Sequence, residues 1–143
     1  MEISRKTDYA IRLVAALMLN KGKPLSVRKA ATMQDVPYSF ARGIQHELVN
    51  CGVINTTRGS QGGMVLAIDP DEYTLTELIE TLQGPIRLAV CLSEEGWCPR
   101  DGNCAFHQVW EGGSNILRDY LSSITMKDII EGKHPYLKEA QPI

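Results

Sequence analysis

The pattern of hydrophobic and polar positions predicts two helices in the first 33 residues. Over residues 5–20 the apolar positions recur every three to four residues on one helical face, at Tyr9, Leu13, Ala16 and Leu17. The sequence Lys21-Gly22-Lys23-Pro24 ends this helix. Ser26 can cap a second, shorter helix that ends near Met33, with its apolar residues facing inward: Val27, Ala30 and Ala31.

A third helix is predicted over residues 37–51, with Pro37 at its first position. Its apolar stripe consists of residues four apart, namely Val36, Phe40, Ile44 and Leu48. Arg42 lies opposite this stripe, flanked by Tyr38, Ser39, Gln45 and His46. Such donors can read base edges, and the preceding short helix and turn have helix-turn-helix spacing. An ordinary amphipathic surface helix is the alternative.

Two β-branched runs, residues 53–57 and 64–68, flank Arg58-Gly59-Ser60-Gln61-Gly62-Gly63 and predict a β-hairpin. A hairpin that follows a helix-turn-helix is a wing, and glycines at its tip permit close approach to phosphate. A generic hairpin loop is the alternative. We therefore expect a mainly α fold with a small β-hairpin wing, in which residues 1–83 form a winged helix-turn-helix DNA-binding domain.

The C-terminal part predicts a short helix, a loop and a long helix. Thr74 and Glu77 can form a capping box for a helix that ends at Gly84-Pro85. Residues 84–104 contain a loop, and residues 105–143 a long helix and a tail that we expect to be peripheral beyond Ile130. The long helix has an extended apolar face: Phe106, Val109, Trp110, Gly113, Ile116, Leu117, Tyr120 and Leu121. This face fits either a dimer interface or packing within one chain.

Charge and composition narrow the class of protein. The chain is 43% hydrophobic and 22% charged, which is ordinary globular composition. Residues 1–62 carry nine basic and four acidic residues, whereas the remainder carries six basic and thirteen acidic ones. This asymmetry indicates a local polyanion-binding surface. The longest apolar run, Leu13–Leu19, is too short to span a bilayer, and no leader pattern precedes it. We expect a cytoplasmic protein without membrane contact.

Three of the four cysteines, Cys91, Cys98 and Cys104, lie within fourteen residues, and His107 follows. Thiolates suit Zn²⁺, Cu(I) and iron–sulfur clusters. Three thiolates and an imidazole would satisfy tetrahedral zinc, but the paired knuckles of structural zinc sites and the ferredoxin spacings are both absent. Zinc and a cluster therefore both remain open at this point. A reducing cytosol argues against disulfides, and distant Cys51 is interpreted as a small buried hydrophobe.

Together these residues resemble the IscR/NsrR/RirA family of bacterial winged-helix regulators over essentially the whole chain. The resemblance depends on Lys6-Thr7-Asp8-Tyr9-Ala10 in the first helix, on the wing from Arg58 to Gly63 and on the three cysteines. The segment Cys104-Ala105-Phe106-His107-Gln108-Val109-Trp110 is particularly similar to the cluster-binding segment of IscR. The order and separation of these pieces make the resemblance specific.

The resemblance implies a homodimer on a palindromic double-stranded DNA site, with the long helix as its interface and an iron–sulfur cluster that controls DNA affinity. The three cysteines match the cluster ligands. His107 matches the fourth ligand of a 2Fe–2S site, and Asp8 matches the residue that reaches a 4Fe–4S cluster from the other subunit. Both fourth ligands are present, and we favour 2Fe–2S. The first cysteine gap is one residue longer than in IscR, so its geometry is not carried over.

The expected DNA contacts combine charge and resemblance. Arg28, Lys29 and Arg58 are expected to contact phosphate, and Tyr38, Ser39 and Arg42 to face the bases, with Ser60 and Gln61 at the wing tip. Ser39, Arg42 and Arg58 match DNA-contacting positions of the family, but Arg42 replaces an acidic residue of IscR, so the operator sequence is not carried over.

We therefore expect a repressor that senses redox state, nitric oxide or iron and cluster supply. The chain shows no nucleophile–base pair and no phosphate-binding loop, so we do not expect an enzyme. One alternative is the same regulator with a structural zinc. Another is a small iron–sulfur electron carrier, which would leave the helix-turn-helix and the wing unexplained.

Overall fold

The computed structural model of the protein describes residues 1–93, 98–100 and 103–135. Within these ranges it is mainly helical with one antiparallel two-stranded sheet, as the sequence predicts. No helix in the described part of the chain is long and apolar enough to cross a membrane. The elements are α1 (Arg5–Leu19), α2 (Val27–Met33), α3 (Tyr38–Asn50), β1 (Ile54–Thr57), β2 (Gly63–Leu66), α4 (Leu75–Gln83), a 3-10 helix (Val90–Leu92), α5 (Ala105–Ser122) and α6 (Met126–Glu131).

Side-chain caps begin α2 and α4 at the places that the sequence indicates. The Ser26 hydroxyl accepts a hydrogen bond from the Lys29 backbone N–H at 3.2 Å, and Thr74 and Glu77 form the predicted capping box of α4. The third helix begins one residue later than expected, because Pro37 is its N-cap and Tyr38 its first helical residue. These local signals fix where α2, α3 and α4 begin.

The core forms where α1 and α2 pack against α3. The buried residues of α3 are Ala41, Ile44 and Leu48. Phe40, which the periodicity places on the apolar stripe, is 53% exposed, and its ring meets the edge of the Tyr9 ring at 5.8 Å between centroids. The small Ala41 is fully buried instead, so the inward face of α3 is rotated toward Ala41 and Phe40 lies at the rim of the core.

The wing is joined to the start of α2. Strands β1 and β2 pair from Ile54 opposite Leu66 to Thr57 opposite Gly63. Leu25 adds an antiparallel bridge to Met64, with N–H···O distances of 3.0 and 2.8 Å. A Cβ on Gly63 would lie within 2.6–2.8 Å of Leu25 backbone atoms. Only glycine allows this close approach of the two backbones.

The last helix, α6, was not predicted. Thr125 and Asp128 form a capping box at its start, and the Thr125 backbone N–H holds the pKa of Asp128 below its ordinary value. The Met126 backbone N–H donates to the Tyr73 carbonyl at 3.0 Å, and the Met126 side chain is fully buried in the core that includes α1. The segment after α5 therefore returns to the winged helix. The tail predicted to be peripheral begins after Ile130; residues 131–135 are mostly exposed, and the part from residue 136 onward lies outside the described residues.

Candidate nucleic-acid interface and cysteine loop

The outer face of α3 presents polar side chains next to α2. Tyr38, Ser39 and Arg42 are all exposed on α3, as predicted from the position of Arg42 opposite the apolar stripe. The guanidinium carbon of Arg28 on α2 lies 4.0 Å from the centre of the Tyr38 ring. This cation–π contact places a positive charge beside the start of α3. The structure therefore brings the predicted residues of α2 and α3 onto one surface.

A cleft of about 980 Å³ separates α2 from the wing tip. Three residues predicted to bind DNA line it: Lys29 from α2, and Ser60 and Gln61 from the wing. Lys23 also lines this cleft and was missed by the sequence analysis. Lys23 could have been found from its position in the basic turn before α2, Lys21-Gly22-Lys23-Pro24, which was interpreted only as the end of α1. Two lysines and a glycine-rich tip on one concave surface are suited to a phosphate backbone.

The tip of the wing has a tight backbone that requires glycine. The Gly62 backbone N–H donates to the Gly59 carbonyl at 3.0 Å, and a Cβ on Gly62 would clash with the Thr57 carbonyl oxygen. The Thr57 hydroxyl accepts a hydrogen bond from the Gly63 N–H at 3.2 Å. These contacts close the turn and leave Arg58 exposed immediately after β1.

Two of the three clustered cysteines lie in elements that begin or contact α5. Cys91 is in the 3-10 helix, which contacts α5, and Cys104 is the N-cap residue of α5. Cys91, Cys98 and Cys104 are free thiols of intermediate exposure, and His107 lies partly buried in the first turn of α5. Among the described residues, no group of three or more histidine, cysteine or acidic side chains is arranged to hold a metal ion. The donors are present, but the described geometry does not bring them together as ligands.

Asp8 and Cys51 lie away from this loop in the sequence and have other neighbours. The Asp8 carboxylate on α1 is 3.0 Å from the Arg12 guanidinium, and its side chain is 45% exposed. The interpretation of Cys51 as a buried hydrophobe is wrong, because Cys51 is exposed. It is the C-cap residue of α3, where the chain leaves the helix and the buried face of α3 has ended.

Helix α5 leaves most of its apolar face uncovered in the single chain. Phe106 is 67% and Ile116 73% exposed, and Val109, Trp110 and Tyr120 are exposed as well. Gly113, Leu117 and Leu121 are partly buried. The buried residue of α5 is the polar Ser114. Packing within one chain was one of the two alternatives for this face. It is wrong for the residues of the face that are exposed.

An ion pair and hydrogen bonds fasten α5 to α4 on its polar side. The Arg118 guanidinium donates to both carboxylate oxygens of Glu80, at 2.9 and 3.1 Å. The bond from Arg118 holds the pKa of Glu80 below its ordinary value. The Thr76 hydroxyl donates to the Arg118 carbonyl at 3.1 Å. The polar side of α5 is thus bound to α4, while most of its apolar face stays exposed.

Comparison with known proteins places the chain among bacterial regulators. The family model Rrf2, described as an iron-dependent transcriptional regulator, matches residues 3–132. A protein of Aquifex aeolicus, named as an HTH-type transcriptional regulator, is 31% identical over 138 residues, which are 94% of this chain and 96% of that protein. The regulator NsrR of Shouchella clausii is 29% identical over 132 residues, covering 91% and 89% of the two chains.

A solved structure has the same fold. The structure of CymR, described as the global cysteine regulator of Bacillus subtilis, superposes with a TM-score of 0.78 and 24% identity, and it covers 94% of this chain and 99% of CymR. The agreement extends over the helix-turn-helix, the wing and the long helix, because nearly the whole of each chain is matched.

Proposed function

Because the chain belongs to the Rrf2 family of DNA-binding transcriptional regulators, we propose that it is a cytoplasmic homodimeric repressor whose affinity for a palindromic operator is controlled by an iron–sulfur cluster. The family inferred from the sequence motifs is thereby confirmed, and its named members are regulators and not enzymes. The observation that carries the cluster proposal is the set of three free, partly exposed thiols, one of which is the N-cap residue of α5. The family's description as iron-dependent supports it.

DNA is bound by the surface that α2, α3 and the wing share. Lys29 and Lys23 in the cleft and Arg58 beside it neutralise phosphates, which supplies sequence-independent affinity. Ser39 and Arg42 project from the exposed face of α3 and contact base edges in the major groove. Tyr38 holds the Arg28 side chain beside this helix, while Ser60 and Gln61 extend from the wing. Each element has a separate role in affinity or base recognition.

The chemistry of the donor set fits the proposed cluster. Cys91, Cys98 and Cys104 would hold it as thiolates, with His107 of the same chain or Asp8 of a second copy as the fourth ligand. A bound cluster supplies iron that reacts with nitric oxide or oxygen and that can exchange an electron. Cys104 lies at the N-terminus of an 18-residue helix, where the backbone N–H groups favour a negatively charged ligand. A 2Fe–2S cluster remains the favoured type.

The apolar face of α5 is proposed as the dimer interface. Exposed apolar residues that continue along one helix usually mark a contact with another protein surface. A second copy on this face would form a two-fold contact, in which each α5 covers the other. Two winged helices related by a two-fold axis read two half-sites of a palindrome. Cys104 precedes this helix directly and Cys91 lies in the 3-10 helix that contacts it, so a change at these thiols would act on α5.

A second candidate is regulation through the thiols without a cluster. It is favoured by the absence, in the described ranges, of any ligand group already arranged for a metal. The likeness in fold to CymR, described as a global cysteine regulator, is consistent with it. A structural zinc at the same thiols is a third possibility, and it would give a colourless protein.

The deciding experiment is the visible absorption spectrum of protein purified without oxygen, with iron and sulfide assays, followed by DNA binding. The DNA is a duplex selected from a random library, tested before and after removal of iron by a chelator. Charge-transfer bands, matched iron and sulfide, and a changed DNA affinity are expected. A colourless protein that binds DNA equally well with or without reconstitution would contradict the cluster proposal. A response of DNA binding to thiol oxidation alone would favour the second candidate.

A further inference from the structure

The segment that carries Cys91 is fastened to one turn of α5. We call residues 84–92, which follow α4 and include the 3-10 helix, the connecting segment. Within it, Leu88 contacts α5 at two neighbouring residues, Gly113 and Ser114. Cys91 follows Leu88 by only three residues, and the 3-10 helix that contains it also contacts α5. The position of Cys91 therefore depends on how Leu88 is held.

Ser114 holds the connecting segment with a hydroxyl that both donates and accepts a hydrogen bond. The side chain is polar, yet the residue is only 6% exposed. Its Oγ accepts from the Leu88 backbone N–H at 3.0 Å and donates to the Trp110 carbonyl at 2.7 Å. A hydroxyl within a helix commonly donates to the carbonyl four residues earlier, which leaves its lone pairs free to accept. Here the accepted bond comes from another element of the chain.

Gly113 provides the space that Leu88 needs. A Cβ at position 113 would lie 2.7 Å from Cδ1 of Leu88, so the end of this side chain, which is 39% exposed, would have to shift. Gly112, its neighbour, has nothing within 4 Å of the same added atom. Glycine weakens a helix interior, so its presence in α5 calls for a reason in packing. At position 113 the reason is the Leu88 side chain, whereas at position 112 the structure offers none.

A second attachment holds the other end of the same stretch. The buried Ile86 donates its backbone N–H to Glu80 at 3.4 Å, and Glu80 is itself held by Arg118 of α5. The connecting segment is thus attached at Ile86 and again at Leu88. Only two residues separate the second attachment, at Leu88, from Cys91. The attachment therefore restricts the positions that the thiol can occupy.

We propose that Gly113 and Ser114 are positioning residues for Cys91. They seat Leu88 against the middle of α5 and thereby set the position of the first thiol of the loop relative to that helix. A regulatory purpose for this placement rests on the proposed function. The placement itself can be measured on protein that contains no cluster.

The test measures the rate at which iodoacetamide alkylates Cys91 in the cluster-free, full-length protein, followed by peptide mass spectrometry. The exposed Cys51 serves as the internal reference. Ser114→Ala removes the bond to Leu88, and Ser123→Ala is its control, because the Ser123 hydroxyl bonds only to the Tyr120 carbonyl of its own helix in the described structure. Loss of one such bond should raise the Cys91 rate by about two- to five-fold in Ser114→Ala and leave it unchanged in Ser123→Ala.

A second pair of variants tests the contact with Gly113. Gly113→Ala should raise the Cys91 rate, whereas Gly112→Ala, an identical change in helix propensity, should not. In a Leu88→Ala background the Gly113→Ala substitution should add little, because the atom it displaces is gone. A full additional effect in that background would overturn the proposal and assign the Gly113 effect to the apolar face of α5.

A readout on the loaded protein completes the test. Iron should be removed by a chelator several-fold faster from Ser114→Ala than from Ser123→Ala. Equal Cys91 rates in Ser114→Ala, Gly113→Ala and their controls would refute the inference even if the wild-type protein binds a cluster. Conversely, a wild-type protein that never binds a cluster would refute the proposed function, and the alkylation result would still decide whether these residues position Cys91.

Discussion

The guanidinium of Arg28 lies over the ring of Tyr38, with 4.0 Å between the guanidinium carbon and the ring centre. Arg28 belongs to α2 and Tyr38 is the first residue of α3, so this contact connects the two helices of the helix-turn-helix on their exposed side. The sequence predicts a DNA contact for each of these residues separately. Their contact means that one of them orients the other.

Replacement of Tyr38 should therefore affect DNA binding through Arg28. Tyr38→Leu removes the aromatic face, and DNA affinity is expected to fall by about two- to five-fold, the range for an exposed cation–π contact. Tyr38→Phe retains the face and should retain most of the affinity. Fluorescence anisotropy with the selected duplex measures both variants. Equal losses in the two would show that the hydroxyl matters and the ring face does not.

Arg58 should contribute to the salt dependence of DNA binding. Arg58→Ala is expected to weaken binding to all duplexes. The negative slope of the logarithm of the association constant against log salt should become less steep by about one, because one phosphate contact is lost. Lys127→Ala is the control, since Lys127 on α6 pairs with Asp71. An unchanged slope in Arg58→Ala would remove this residue from the set of phosphate contacts.

Removal of a thiol should abolish cluster binding without unfolding the protein. Cys98→Ala is expected to lose iron and sulfide, while the circular dichroism of the winged helix stays unchanged. Cys51→Ala is the matched control, because Cys51 is an exposed free thiol at the end of α3. Full iron and sulfide content in Cys98→Ala, assayed after anaerobic purification, would exclude Cys98 as a ligand.

A charge on the apolar face of α5 should oppose dimer formation. Ile116 is 73% exposed in the single chain, and Ile116→Glu would bury an unpaired carboxylate in the interface. The dimer dissociation constant is expected to rise at least about ten-fold. Gln108→Glu places the same charge on α5 outside the apolar face and should leave the constant unchanged. Sedimentation velocity over a range of concentrations would reveal either result.

The Glu80–Arg118 ion pair should make folding stability depend on pH. The pKa of Glu80 is lowered in the folded protein, chiefly by the bond from Arg118, so the ionised carboxylate stabilises the fold above its ordinary pKa. This contribution is lost as the pH falls from about 5 toward 3. Urea unfolding at several pH values should show a smaller acid loss in Glu80→Gln than in wild type. Glu72→Gln, an exposed change outside the ion pair, should follow the wild type.

The helix-turn-helix and wing could be predicted because their signals are local. Ser26, Thr74 and Gly62 each specify a cap or a turn through neighbouring residues, and the structure places them as expected. Phe40 was misjudged because periodicity gives the direction of a side chain but not how far the adjacent helix reaches. Only the packing of the helices shows that Ala41 is fully buried in the core, whereas Phe40 is not.

Features that depend on distant residues could not be predicted. Helix α6 has six residues, and it is held by bonds such as that from Met126 to Tyr73, which are far apart in sequence. The sequence contains the donor set at Cys91, Cys98 and Cys104, but the role of Ser114 requires knowing that Leu88 lies beside it. A serine in a helix carries no such signal by itself.

The bridge between Leu25 and Met64, closed by the contact at Gly63, has a consequence for how DNA affinity can change. It fixes the wing to the segment that begins α2, and we expect the wing to move together with that helix. In the proposed dimer, a signal would then act through the rotation of one winged helix relative to its copy, and with it the helical phase between the two half-operators. Inserting a single base pair at the centre of the operator should therefore disturb binding as strongly as losing a base contact.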